Sequence, residues 1–138
     1  MESSELEKVL LLAEDNDDHY LLTKEAFVDA GLPFTLQRVR DGEELMDYLL
    51  QRGSFASQAP KTPTLILLDL NMPRKDGREA LKEIKTFPQF RHIPVIILTT
   101  SKNDEDVVYA DELGVTSFLK KPVNYEEFLA FMKMLFRY

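Results

Sequence analysis

The 138-residue chain has no cysteine. A disulfide framework and a thiolate metal site are therefore excluded, and the composition fits a reducing compartment, so we expect a cytoplasmic protein. The chain also has no apolar run close to the roughly 20 residues that a membrane-spanning helix needs. Its N-terminus, MESSELEK, is acidic and polar and therefore differs from a signal peptide.

An excess of positive charge is also missing, since the formal net charge is −7. Nucleic acid and anionic membranes are therefore poor candidates as partners. Hydrophobic residues make up 44% of the chain and charged residues 30%, which is typical of a globular protein. A length of 138 residues is within the usual range for one domain, so we expect residues 1–138 to form a single domain.

Short apolar segments, each bounded by charged or turn-forming residues, predict a parallel β-sheet. Three of them are almost continuously apolar, which is typical of strands covered on both faces. The predicted strands are Val9–Ala13, Phe34–Val39, Leu65–Leu68, Val95–Leu98 and Ser117–Lys120. Helical patterns alternate with them, at Asp17–Ala30, Glu43–Arg52, Arg78–Phe87, Asn103–Leu113 and Tyr125–Phe136. This alternation favours βαβ units with right-handed crossovers, and the stretch Gly53–Pro63 is predicted to be a long loop.

Acidic side chains follow two of the predicted strands. Glu14 and Asp15 come directly after the first strand, and Asp69 ends the third. Pro73 and Gly77 indicate the loop that follows. Ligands of parallel α/β sheets bind outside the carboxyl ends of the strands, so we expect these carboxylates to meet there, with Asp69 half-exposed. Oxygen ligands of this kind suit Mg²⁺.

Two further polar residues are predicted at the same edge of the sheet. Thr99 ends the fourth strand, and Lys121 follows the fifth. A carboxylate nucleophile, Mg²⁺, a hydroxyl and an ammonium group together make a site that could form an aspartyl phosphate. By contrast, Asp17 and Asp18 are interpreted as acids of a helix cap and first turn. The two histidines are interpreted as surface residues.

Together these residues resemble the receiver domain of the two-component response regulators, over about Leu6 to Phe136. The resemblance rests, in order along the chain, on Glu14-Asp15, on Asp69 within LLDLNMPRKDG, on Thr99, on Phe118 and on Lys121-Pro122. It implies the flavodoxin-like fold, which is a doubly wound parallel sheet of five strands in the order 2-1-3-4-5 with five helices.

The resemblance also implies roles for the acidic residues. Asp69 would accept a phosphoryl group from a phosphohistidine on a sensor histidine kinase. Mg²⁺ would be bound by Asp15, Asp69 and the backbone carbonyl of Asn71, with Glu14 acting partly through water. The expected cofactor is therefore Mg²⁺, and the expected function is that of a phosphoacceptor in a phosphorelay.

A conformational switch is implied by the same resemblance. Lys121 would pair with the phosphoryl group, and Thr99 would close on it. Phe118 would then change its rotamer and alter the surface formed by the fourth helix, the fifth strand and the fifth helix. No DNA-binding segment follows the predicted fifth helix, so the expected output is protein–protein contact or onward phosphotransfer.

Among receivers, the chain is most similar to the small stand-alone regulators that partner cyanobacterial phytochromes. LLDLNMPRKDGREALKEIK, RHIPVIILTTS and the long loop before the third strand carry this likeness. A phytochrome kinase is therefore the expected partner. Receivers of this type often dimerise through the surface that Phe118 would alter. Phe131, Met134 and Tyr138 form an apolar stripe on the last helix that the core does not need, so we expect a homodimer.

Two other functions share parts of this pattern. A phosphohydrolase of the haloacid dehalogenase class also combines an aspartate nucleophile with Mg²⁺. It expects a second aspartate two residues later, where this chain has Asn71. A flavodoxin-like cofactor binder needs a phosphate loop rich in Ser, Thr and Gly after the first strand, where this chain has EDNDD. The sequence therefore favours a signalling protein over an enzyme with a turnover substrate.

Overall fold

The computed structural model describes residues 8–57, 62–72, 75–99, 114, 117–120 and 125–135. Strands and helices alternate over the described part of residues 8–99, as the sequence predicts. The elements are β1 (Lys8–Ala13), α1 (Asp17–Asp29), β2 (Phe34–Val39), α2 (Gly42–Leu50), a 3₁₀-helix (Gly53–Phe55), β3 (Leu65–Asp69), α3 (Gly77–Thr86), β4 (Val95–Thr99), β5 (Ser117–Lys120) and α4 (Tyr125–Leu135). Helix α4 is the fifth predicted helix, because the fourth, Asn103–Leu113, lies outside the described residues.

The five strands form one parallel sheet in the order β2-β1-β3-β4-β5. This order confirms the predicted fold class. The sheet register pairs Ala13 of β1 with Leu68 of β3, and Asp69 of β3 with Leu98 of β4. The residues that follow β1 therefore lie beside the carboxyl end of β3.

Helices cover the sheet on both faces, which explains why the central strands are almost continuously apolar. Successive side chains of a strand alternate between the two faces. Leu11 and Ala13 of β1 belong to a buried cluster with α2 and α3. Leu10 and Leu12 belong to a second buried cluster with α1 and α4. Both sets of strand residues are fully buried, so the sheet is the shared centre of both clusters.

Polar side chains set the starts of three helices. Asn16, Asp41 and Asp76 cap α1, α2 and α3, and each accepts a hydrogen bond from the backbone N–H three residues later. Because Asn16 is the cap, Asp17 and Asp18 both lie in the first turn of α1, where acidic groups favour the helix dipole. Each of these helices therefore begins directly after a loop at the carboxyl edge of the sheet.

One expectation from the sequence differs from the structure in this part of the fold. The loop predicted at Gly53–Pro63 begins with the 3₁₀-helix, where the Phe55 ring packs edge-on against Tyr48 with 5.2 Å between ring centres. Three residues are too few to show a periodic signal. On α1, Leu21 is 51% exposed, because Ala26 and Phe27 make the buried face of that helix. Within the described ranges, every helix is too short or too polar to cross a membrane.

Candidate metal and phosphoacceptor site

Three carboxylates converge at the carboxyl edge of the sheet. Glu14, Asp15 and Asp69 each offer an oxygen, and these oxygens all lie within 4.8 Å of one another. The pairing of Ala13 with Leu68 explains the arrangement, since it sets the residues after β1 level with the end of β3. The structure therefore brings together the acids that the sequence placed at this edge.

The exposure of the three acids differs from the expectation. Asp69 was expected to be half-exposed, and this is wrong, since only 4% of its surface is accessible. Glu14 is fully buried, whereas Asp15 is exposed. Asp69 is enclosed because the chain after β3 folds back, with the Gly77 N–H donating to the Leu70 carbonyl at 3.0 Å. Asp15 is therefore the acid of the three that faces solvent.

Backbone groups bind the carboxylates of the two buried acids. The Asn71 N–H donates to Asp69 Oδ1 at 3.0 Å. The Asn16 N–H donates to Glu14 Oε2 at 3.2 Å, and His19 Nδ1 lies 3.9 Å from the same oxygen. Each buried carboxylate is therefore oriented by the N–H group two residues later.

Two glycines allow the loop after β3 to pack closely, and the sequence motifs indicated only the first of them. A Cβ atom on Gly77 would lie 2.3 Å from the Asp69 carbonyl oxygen. A Cβ atom on Gly42, at the start of α2, would lie 2.3 Å from the Lys75 carbonyl oxygen. The Gly42 N–H instead donates to that oxygen at 2.8 Å, and the Lys75 ammonium pairs with Glu83 of α3. The loop is therefore fixed to both α2 and α3.

A basic pair on and after β2 lies beside the acidic segment, and the sequence pattern did not identify it. Arg38 Nη1 and Arg40 Nη1 lie 2.9 Å and 3.3 Å from Asp17 Oδ1. The hydrogen bond from Arg38 and the charge of Arg40 lower the pKa of the Asp17 carboxyl group. Asp17 is thus paired with arginines in the first turn of α1, and the cap part of its interpretation is wrong, because Asn16 is the cap.

The remaining predicted residues are described only in part. Thr99 is the last residue of β4 and pairs in register with Lys120 of β5, so its backbone lies at the same edge of the sheet. Phe118 lies within β5 and pairs with Ile97. The side chains of Thr99 and Phe118, and the whole of Lys121, lie outside the described residues. Their predicted roles therefore stay predictions.

The chemistry of this edge suits a hard divalent cation. Carboxylate oxygens are the preferred protein ligands of Mg²⁺, which uses few of them and keeps several waters. One exposed acid beside two buried acids leaves a side open to water and to an anionic group. Three negative charges this close repel one another, so a cation would stabilise the cluster.

Comparisons with known proteins agree with this geometry. The response regulator receiver domain family matches residues 10–133. The chain belongs to this family. The response regulator Rcp1 of Synechocystis sp. is 43% identical over 120 residues, which are 87% of this chain and 80% of Rcp1.

Solved structures of similar receivers share the whole fold. The phosphorylated cyanobacterial phytochrome response regulator RcpA has a TM-score of 0.82 and 40% identity, over 94% of this chain and 91% of RcpA. The Mn²⁺-bound form of Rcp1 has a TM-score of 0.83 and 40% identity, over 93% of this chain and 91% of Rcp1. Receivers bind Mg²⁺ at their acidic pocket, and this receiver carries that pocket, so the predicted cofactor is confirmed.

Proposed function

We propose that this receiver accepts a phosphoryl group on Asp69 from a phosphohistidine of a sensor histidine kinase. The observation that carries the proposal is the convergence of Glu14, Asp15 and Asp69 within 4.8 Å at the carboxyl edge of the sheet. In the transfer, an Asp69 carboxylate oxygen forms a bond to phosphorus, and the bond between phosphorus and the kinase imidazole nitrogen breaks. The product is an aspartyl phosphate on this chain.

The residues of the proposed site have two roles, which are to bind Mg²⁺ and to attack phosphorus. Asp15, Asp69 and the backbone carbonyl of Asn71 would hold Mg²⁺, with Glu14 acting partly through water. The bound ion would neutralise charge on the phosphoryl oxygens. The hydrogen bond from the Asn71 N–H fixes one oxygen of Asp69, which supports a defined orientation for the other.

The response to phosphorylation is assigned to residues near β4 and β5. We propose that Lys121 pairs with the phosphoryl group, that Thr99 closes on it, and that Phe118 changes rotamer in response. The register of β4 against β5 supports this set, because it brings the ends of both strands to the acidic edge. The output would be a protein-interaction surface rather than turnover of a substrate.

Partners follow from the relatives. RcpA is described as a cyanobacterial phytochrome response regulator, so we propose a phytochrome-type histidine kinase as the phosphodonor. We also propose a homodimer through the predicted helix Asn103–Leu113, β5 and α4. Residues 1–138 would form one domain that acts in the cytoplasm, where the kinase domain and Mg²⁺ are available.

Incubation with acetyl phosphate and Mg²⁺ tests the phosphoacceptor. The wild type should gain one phosphoryl group, detected by intact mass, and Asp69→Asn should gain none, because an amide is a poor nucleophile. Asp18→Asn is a matched control, since Asp18 is an exposed acid of the same edge that lies outside the cluster. Equal labelling of Asp69→Asn and wild type contradicts the assignment, and fast steady hydrolysis of phosphate esters would favour the phosphohydrolase instead.

A further inference from the structure

Arg38, on the edge strand β2, contacts the segment that carries the acidic pair in three ways. Its Nε donates a 2.9 Å hydrogen bond to the backbone carbonyl of Glu14, and its Nη1 lies 2.9 Å from Asp17 Oδ1. Its guanidinium carbon lies 4.4 Å from the centre of the Tyr20 ring. Only 13% of the Arg38 side chain is exposed, so these partners replace most of the water around Nε and Nη1, whereas its buried Nη2 has no hydrogen-bond partner among the described residues.

The peptide bond between Glu14 and Asp15 must be held in a fixed orientation. Successive side chains of an extended strand point to opposite faces, yet both carboxylates reach one cluster with Asp69. The backbone must therefore leave the strand conformation at this peptide and be held there. The Glu14 N–H donates to the Val39 carbonyl at 3.0 Å, and Arg38 binds the Glu14 carbonyl. Strand β2 thus binds both backbone polar groups of Glu14.

We propose that Arg38 is a positioning residue for the metal site, which orients the Glu14–Asp15 peptide so that two adjacent carboxylates converge with Asp69. The inference rests on the proposed function, because it takes these carboxylates as the metal ligands. Removing a hydrogen-bond partner of a metal ligand commonly weakens metal binding by about 10–100-fold. Since Arg38 binds the backbone between two ligands, and not a ligand oxygen, we expect a loss at the lower end, about tenfold.

Loss of the Arg38 charge and loss of its positioning should change the Mg²⁺ affinity in opposite directions, which makes the inference testable. Removing a cation near an acidic cluster makes the site more negative and should tighten Mg²⁺ binding. Loss of positioning should weaken it. Arg40 supplies a matched control, because its Nη1 also pairs with Asp17 Oδ1, at 3.3 Å, while 57% of its side chain is exposed. The variant Arg40→Gln therefore reports how the Mg²⁺ affinity changes when a cation paired with Asp17 is lost.

The experiment compares Arg38→Gln, Arg38→Lys and Arg40→Gln with the wild type. Mg²⁺ dissociation constants are measured by titration followed through amide NMR shifts, at a temperature where every variant is folded. Arg38→Gln should bind Mg²⁺ about tenfold more weakly. Arg38→Lys should also bind Mg²⁺ more weakly although the charge is kept. An ammonium group lacks the planar fork of N–H donors with which the guanidinium binds a carbonyl and a carboxylate together. The Mg²⁺ dissociation constant of Arg40→Gln should lie within about twofold of the wild-type value, on the side of tighter binding.

Hydrogen exchange gives a second readout that needs no metal. The amides of Glu14 and Asn16, which donate to the Val39 carbonyl and to Glu14 Oε2, should exchange faster in the two Arg38 variants of the metal-free protein, but not in Arg40→Gln. Unchanged or tighter Mg²⁺ binding in both Arg38 variants overturns the inference. If Arg38→Gln does not fold, Arg38→Lys decides alone, with weaker binding supporting the inference and unchanged binding refuting it.

Asp15→Ala separates this inference from the proposed function. It should weaken Mg²⁺ binding, since it removes a proposed ligand. If Asp15→Ala has no effect on the Mg²⁺ dissociation constant, the proposed metal site itself is wrong. If Asp15→Ala weakens binding and the Arg38 variants do not, the metal site stands and only the role of Arg38 fails.

Discussion

Gly77→Ala is predicted to damage the fold and the metal site together. A Cβ atom at this position would lie 2.3 Å from the Asp69 carbonyl oxygen and 2.6 Å from Leu70 Cα. Both are backbone atoms at the buried end of β3, so neither can move as the end of a flexible side chain would. The Gly77 N–H also donates to the Leu70 carbonyl at 3.0 Å, and this bond must lengthen if the chains separate.

The magnitude follows from three contributions. Overpacking a buried site costs about 1–3 kcal/mol, and weakening a buried hydrogen bond costs about 1 kcal/mol more. The higher helix propensity of alanine returns less than about 1 kcal/mol at the first position of α3. We expect a net loss of about 1–4 kcal/mol in the free energy of unfolding, and about tenfold weaker Mg²⁺ binding because Asp69 is displaced.

Urea unfolding and Mg²⁺ titration measure the two effects separately. Gly31→Ala is the control, because Gly31 has a φ of +67° and a Cβ atom there would meet no neighbouring atom of the described residues within 4 Å. It should lose about 1–2 kcal/mol through backbone strain alone and keep the wild-type Mg²⁺ affinity. The reasoning is refuted if Gly77→Ala unfolds like the wild type, or if it loses stability without any loss of Mg²⁺ affinity.

Three further predictions concern the charges, the switch and assembly. Without metal, Asp69→Asn should raise the free energy of unfolding by about 1 kcal/mol or more, since it removes a charge within 4.8 Å of two others; urea unfolding in EDTA showing a loss would contradict this. Thr99→Ala should permit phosphorylation but reduce the NMR shift changes near Phe118, and identical changes in wild type and variant would refute the switch. Sedimentation should show that the wild type is a dimer and that the double variant Phe131→Asp, Met134→Lys is a monomer. A wild type that stays monomeric at high concentration with a phosphoryl mimic excludes the predicted dimer.

The structure changes the basis of the dimer prediction. Met134 is 56% exposed, as the helical stripe predicts. Phe131, predicted on the same exposed stripe, is instead half-buried and packs against the cluster that contains Phe128, with 6.5 Å between the two ring centres. Tyr138 lies outside the described residues. Substitution of Phe131 therefore affects packing as well as any interface, so Met134→Lys alone is the cleaner variant.

The strands and their order could be predicted because burial on both faces leaves a strong signal. Every position of Leu10–Ala13 and Leu65–Leu68 is buried, so the sequence shows continuous apolar runs ended by acids. The ends of the described helices were predicted to within a few residues; in α1, for example, acidic residues begin the helix and Gly31 follows its end. These signals come from residues that are close together in the sequence, so a single sequence is enough to reveal them.

Features that depend on contacts distant in sequence could not be predicted. Arg38 lies 24 residues from the carbonyl that it binds, and an arginine on an edge strand looks like a solvent-facing residue. The burial of Asp69 depends on the loop folding back through Gly77, which the motif marks only as a turn. Sequence spacing can therefore predict which acids share an edge, but it does not predict how each is held.

The contacts that hold the site oppose the repulsion within it. Two buried acids and one exposed acid meet within 4.8 Å, and like charges at this separation favour moving apart. Against that repulsion, each loop is bound by neighbouring strands or helices through backbone groups, Glu14 by β2 and Lys75 by α2. Backbone hydrogen bonds of this kind do not depend on the charge state of the carboxylates. The scaffold can therefore keep the acids together before a cation arrives, so that ion binding relieves repulsion instead of ordering the loops, and phosphorylation meets a site already formed.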